Sequence, residues 1–304
     1  MTSQSAKLYY NRLITEGENI SFNEHRQLPP FYDRIKYKRG QSFFREYFTS
    51  ICLNYIVGLA MGLSDPKLNF ILRHTNNSSK PKTAYKRYYL VVKHLLIWME
   101  EDFESSTVWK SLKVVQSKHA KANKSTKMIN QRDLGLATMG FLCPILVNLE
   151  IFGMASAKTE DLEAFLHMWR NLSYVMGTDD SFNPCTTESV DVVSSISREI
   201  ALHCAGYISK NMWEYHSMLD AFCRGFSILF PIPNEKVMVQ YCLKNIVHNC
   251  DHNFNCQMDY TLSQQISLKR MEVIGYIQKF KIVRLLCNTF GRWFVEMKMI
   301  FNKL

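Results

Sequence analysis

Between Val108 and Lys124 the chain reads VWKSLKVVQSKHAKANK. Set on a helix at about 100° per residue, its side chains separate into two arcs. Val108, Leu112, Val115, His119 and Ala122 share one arc, and Lys110, Lys113, Lys118, Lys121 and Lys124 share the other. A stretch that sorts by the helical period cannot also sort by the alternation of a strand, so it is an amphipathic helix. The same period recurs through most of the chain, and no alternating run persists. Twelve glycines and eight prolines in 304 residues fall below the usual share, which favours long helices over turn-rich sheets. Helices are expected over 39–62, 65–74, 83–101, 106–124, 131–152, 159–177, 187–204, 206–230 and 234–247, with a last, broken one over 261–301. Ser64-Asp65-Pro66, TNNSSKPK and GTDDSFNPC separate them, and Thr159-Glu160-Asp161 places acids in a first turn,. The expected fold is all-α: an N-terminal arm over 1–29, then a single multi-helix domain over 30–304, opened by LPPFYDR.

Hydrophobic residues make up 47% of the chain and aromatic residues 13%, enough for a large core,. The formal charge of +10 suits nucleic acid, an anionic membrane surface or an acidic ligand,. Its lysines are scattered over helix faces and are not clustered with glycines and aromatics, so no nucleic-acid partner is expected. Nine cysteines lie far apart, in contexts such as SICLNY, FLCPIL and RLLCNTF. That dispersion reads as reduced, buried thiols. The first residues, MTSQSAKLYYNRLITEGENIS, hold no apolar core of signal-peptide length,. The longest apolar segment, Phe43 to Leu63, contains Arg45, Glu46 and Asn54 and reads as a buried helix, not a span,. An intracellular location follows as the expectation. The closing helix, 280–301, sets Ile282, Leu286, Phe290 and Trp293 against Lys281, Arg284, Arg292 and Lys298. It is expected to pack its apolar face on its own domain, with peripheral contact to an anionic membrane as the alternative.

The candidates for chemistry start with His119, which sits mid-stripe on the inward arc. A lone inward histidine is most often a core group bonded to a carbonyl. The preceding helix argues for more, because Arg87, Val91, His94 and Trp98 share one of its faces. A buried guanidinium needs an anion, either a carboxylate of the chain or one carried by a ligand. In FLHMWRNLSYVMGTDDSFNPCT, His167, Arg170 and Tyr174 share a helix face, with Asp179 or Asp180 as a structural partner for Arg170. Gln131, Asp133 and Thr138 are placed to bond neighbouring helices or to edge a pocket. His248, Cys250, His252 and Cys256 in HNCDHNFNC have metal-binding chemistry, but their spacing fits no common zinc pattern. Serine-hydrolase and phosphate-loop signatures are absent.

Several segments in order, FYDRIKYKRGQSFFREYF, YKRYYLVVKHLLIWM, WKSLKVVQSKHA, NQRDLGLATMGF and HMWRNLSYVMGTDDSFN, resemble the catalytic-domain family of rubber oxygenase (latex-clearing protein) and the ER-bound oxygenase of mycophenolic acid synthesis. The resemblance covers roughly residues 30–190. It implies an all-α fold around an internal haem-sized pocket holding haem b, with dioxygen as co-substrate and cleavage of a carbon–carbon double bond in an isoprenoid or other apolar small molecule. The family's axial histidine, in an R-x-x-x-H-A-like motif, falls on VVQSKHA, which makes His119 the iron ligand. Arg87, Arg170 and His167 become the cofactor-binding residues, and the location cytoplasmic or peripheral to the ER membrane. The family's R-x-x-K-T motif keeps its arginine as Arg87, but Leu90 and Val91 replace its lysine and threonine. His94, one turn on, is the residue left to act as the distal catalytic group. Ser173 stands where the family has glycine in a Gly-Tyr pair. A protein that binds haem or a lipophile without catalysis, or a cofactor-free helical interaction domain, are the alternatives.

Overall fold

The computed structural model describes residues 2–228, 230–254 and 259–301. Among them there is no strand, only an isolated bridge between Ser21 and Asn130, so the helical period has its expected consequence of an all-α fold. The chain runs α1 (Thr2–Thr15), α2 (Arg34–Glu46), α3 (Phe48–Gly62), α4 (Pro66–His74), α5 (Pro81–Glu100), α6 (Ser106–Thr126), α7 (Gln131–Gly140), α8 (Cys143–Val147) and α9 (Thr159–Val175). It continues as α10 (Val190–Ile208), α11 (Trp213–Phe226), α12 (Glu235–Cys242), a π turn into α13 (His248–Cys250), α14 (Leu262–Tyr276) and α15 (Lys281–Phe301).

Local sequence accounts for most boundaries. Asp33 starts α2 by accepting from the Ile35 and Lys36 amides, and Asp65 does the same for α4 with Pro66 behind it,. Ser105 caps α6, which ends where Lys127 turns left-handed. Asn130 and Asp133 form a reciprocal capping box at the head of α7,. Two expected helices are each broken into two, and the one expected over 206–230 spans only Trp213–Phe226. The expected helix over 39–62 begins earlier and breaks at Tyr47, whose φ of −112° and ψ of 30° leave the helical region. The one over 131–152 stops at Gly140, because Pro144 has no amide to continue the ladder and instead sits in the first turn of α8,.

The segment expected as an arm is docked. Ala6 and Leu13 of α1 are fully buried, the Tyr9 hydroxyl donates to the Phe182 carbonyl at 2.6 Å, and Tyr10 meets His203 of α10 at 2.8 Å. At the centre lies α3, where Phe48, Ile51, Val57 and Ala60 are all buried. Around it α2 packs on α9, α5 on α11, and α10 on both α1 and α8. The eight described cysteines are free thiols, most of them buried; Cys256 lies outside the described residues.

The crossing of α3 over α7 depends on one glycine. A Cβ built on Gly58 would lie 1.8 Å from the Gly140 carbonyl oxygen, whereas one on Gly206 would meet nothing within 4 Å. Gly58→Ala must push two backbones apart, an overpacking cost of about 1–3 kcal/mol or more. Gly206→Ala, in α10, should instead gain roughly 0.5–1 kcal/mol from helix propensity. Denaturant unfolding of the two variants measures the pair of opposite shifts.

Candidate functional site

The inward phase of α6 places His119 half-buried among neighbouring side chains. Its Nδ1 is buried without a hydrogen-bond partner. Burial, with the Arg87 and Lys118 charges adding to it, pulls the imidazole down to about 4,. At neutral pH the ring is therefore uncharged, as a metal-binding imidazole must be.

Arg87 reaches this point from α5. Its Nη1 donates to the Thr75 hydroxyl at 3.2 Å, at the C-terminal cap of α4, where carbonyls left without helical partners carry partial negative charge,. Burial lowers the guanidinium from its ordinary value, opposed by Tyr88, and arginine stays charged at any ordinary pH. Among the described residues no carboxylate pairs with it. One cation and one imidazole with an unsatisfied Nδ1 thus face each other between α5 and α6, and no carboxylate among the described residues pairs with either.

The other expected site residues lie elsewhere. His94 and the Ser111 hydroxyl share a hydrogen bond at 2.7 Å, and the Trp98 indole donates to the same oxygen at 2.9 Å. Ser111 precedes His119 by two helical turns, roughly 12 Å along α6 at about 1.5 Å per residue. His94 is thus anchored at a different level of the α5–α6 pair. Burial, then Lys118 and Lys93, lower its pKa. Leu90 is partly exposed, and Val91 packs against the core.

His167 and Arg170 belong to an ion network. The Asp33 amide donates to His167 Nε2 at 3.1 Å, which fixes the proton on Nδ1, and Nδ1 donates to Glu188 at 2.7 Å. Arg170 grips Asp180 through Nε at 2.9 Å and Nη2 at 2.6 Å, and reaches Glu188 through Nη1 at 3.0 Å. Lys36 adds a further bond to Glu188 at 2.6 Å. Burial raises the Glu188 carboxyl, but bonds from His167, Lys36 and Arg170 outweigh it and hold it at about 2. Two carboxylates therefore neutralise Arg170 and take three of its five N–H donors,. The Asp180 pairing is the structural alternative weighed for this arginine. Ser173, in the glycine position of the resembling family, joins the Thr138 and Thr178 hydroxyls, each at 2.8 Å.

A second cluster of titratable groups edges a cavity of about 40 Å³ between α3, α4, α7 and α10, room for a few waters. Met61, Leu136 and Met139 line it beside Asp65, Arg132 and His203. His119 and Arg87 do not border it. The sequence reading singled out Asp133 near here but missed Asp65 and Arg132, which meet at 2.5 Å. The cap signature Ser64-Asp65-Pro66 hid the second use of the Asp65 carboxylate. Gln131 holds the Ser21 and Gly177 carbonyls and the Asp179 amide, a bracing role. Among the described residues no group of three or more His, Cys, Asp or Glu is placed to hold a metal ion.

The His119 ring gives a pH signature. Its folded pKa of about 4 lies below the ordinary histidine value of 6.5, so as pH falls the unfolded chain takes up the proton first. The neutral ring's stabilisation is complete above pH 6.5 and is lost as pH falls towards 4,. His119→Leu should flatten that part of the stability profile relative to wild type. The difference between the two denaturation curves isolates it from the carboxylates, and parallel profiles would mean that His119 is solvated.

No family model, no curated protein and no solved structure matches the chain, so the reading of the site rests on its own geometry.

Proposed function

We propose that the chain is a haem-binding protein of the oxygenase type, with His119 as axial ligand and Arg87 as the partner of a propionate. The observation that carries this reading is the pairing of a neutral imidazole, its Nδ1 buried and unsatisfied, with a half-buried guanidinium that meets no carboxylate among the described residues. A haem iron brings its own ring of nitrogens and asks the protein for an axial donor, so the lack of a multi-ligand cluster is no obstacle. The residues fit the group on both counts, donor and counter-charge. Bound haem would supply the iron centre at which dioxygen is activated.

The chain's own contributions are positional and electrostatic. His119 offers a ring nitrogen without first having to lose a proton. Val115 and Ala122, its neighbours on the stripe, present no competing polar donor. Arg87 presents its charge to a carboxylate, and its bond to Thr75 holds the guanidinium in place. An apolar or isoprenoid substrate is consistent with such walls.

One observation favours a second reading, haem binding without oxygenase chemistry. The family's distal lysine and threonine are Leu90 and Val91 here, and His94, the residue left to replace them, is tied to Ser111 two turns away.

Absorption spectroscopy of protein expressed with a haem supply tests both. The wild type should show a Soret band. His119→Ala should lose it while its helical circular dichroism is kept. Arg87→Leu, which removes a charge-assisted contact of about 1.5–3 kcal/mol, should weaken haem affinity by roughly 10- to 100-fold. A wild type without haem absorption would sink the proposal and leave the helical interaction domain. Haem without oxygen uptake on any prenyl substrate would favour the non-catalytic reading.

A further inference from the structure

The closing helix turns Arg284 and Asn288 inward and leaves much of its apolar face outside, with Val283 and Phe294 half-buried. Arg284, Asn288 and Val295 of α15 are buried, whereas Ile282, Leu286, Phe290 and Trp293 are more than half exposed. The inner face is held by polar contacts. Arg284 pairs with Glu46 at 2.7 Å and lies over the Tyr47 ring. Arg292 pairs with Glu100 at 2.6 Å and lies over Phe48. Asn288 donates to the Glu46 carbonyl at 2.6 Å and accepts from the Thr49 amide at 3.0 Å. The expectation that the apolar face would pack on the domain is therefore corrected: the helix does pack there, through the opposite face.

The preceding helix repeats the arrangement. In α14 the buried set includes Glu272, bonded to Lys244, Lys269 and Asn245, while Leu262 and Ile266 point outward. Of the twenty large hydrophobic side chains exposed among the described residues, eleven fall between Leu262 and Trp293. Scattered exposure needs no explanation; this concentration does.

The charges around the patch decide what covers it. Arg270, Lys279 and Lys281 are exposed and pair with no carboxylate among the described residues, and Lys279 sits over the Tyr276 and Phe280 rings. Asp259 and Glu296 are the exposed acids of the same stretch. Aromatic rings and leucines flanked by lysines are the composition of a helix that lies in a membrane interface, where the ammonium groups reach anionic headgroups. A second copy of the chain fits less well, because twofold pairing sets a cation-rimmed patch against its own image, and lysine is depleted in protein interfaces. Neither helix need cross: no single helix among the described residues is long and apolar enough to do so.

We propose that α14 and α15 dock the folded domain onto an anionic membrane surface, with Phe290 and Trp293 entering the headgroup–acyl boundary and Lys279 and Lys281 contacting phosphate headgroups. This does not depend on haem. The test is co-sedimentation of the full chain with phosphatidylcholine vesicles, with and without phosphatidylserine. Binding should require phosphatidylserine and weaken with salt. It should fall at least roughly tenfold in Phe290→Ser/Trp293→Ser, and also fall in Lys279→Gln/Lys281→Gln, with helical circular dichroism unchanged in both. Absence of vesicle binding overturns the proposal, as does binding that both double variants retain. A wild type that ignores vesicles but dimerises, and that the apolar pair renders monomeric, assigns the patch to a second copy instead.

Discussion

Asp65 is the joint on which four segments converge. One carboxylate oxygen accepts the Lys67 and Leu68 amides and so begins α4. The other takes Arg132 from α7 at 2.5 Å and meets His203 from α10 at 3.4 Å. Arg132 in turn reaches Glu18, which belongs to the segment after α1. Burial pushes the Asp65 carboxyl up, but His203, Arg132 and the Leu68 amide outweigh it and keep it well below the ordinary range. Removing one partner from such a pair strands a buried charge, at a cost of about 3–5 kcal/mol. The joint therefore fixes how α4, α7, α10 and the segment after α1 meet.

Set beside that joint, Arg87 stands out. Arg132, Arg170, Arg284 and Arg292 each enter the protein with a carboxylate waiting. Arg87 goes in with only a threonine hydroxyl. The chain pairs those other inward arginines but, among the described residues, gives Arg87 no carboxylate, near an imidazole whose Nδ1 is unsatisfied. Either feature alone is common in cores. Their coincidence between two adjacent helices is what makes the site a candidate for an anionic, iron-bearing ligand.

Much of this was legible in the residues, and the limits have physical causes. The phase of Val108–Ala122 turns His119 inward because a helix period fixes relative direction. The same logic put Arg87 on the facing side of α5. It also put His94 there, and wrongly suggested nearness: a shared face says nothing of height, and two turns separate the levels at which His94 and Arg87 meet α6. Arg170 shows a different limit. Asp180 was legible as its partner, but Glu188 lies eighteen residues on, and only the folded path of 176–190 brings it back. Helix starts were readable at Asp65 and Asn130, where a side chain caps them, but the Asp33 cap was missed and the helix it opens was expected only from 39. They were unreadable at Tyr47, where the break comes from packing and not from a capping residue.

The closing helix marks the deepest limit. Periodicity measures how far polar and apolar faces are separated, but not which of them the protein keeps. The usual assumption, apolar side inward, fails for α15 because Glu46 and Glu100 stand on the receiving surface and bind Arg284 and Arg292. Those two acids lie far away in sequence, at the end of α2 and the end of α5. Nothing local to 281–301 announces them. The inversion also connects the two halves of the functional picture. If the substrate is apolar, as proposed, a domain resting on the membrane would meet it in the phase where it dissolves. Glu100, which orients α15, closes the same α5 that carries Arg87. The surface that would meet the membrane and the site that would take the ligand are thus braced by one helix.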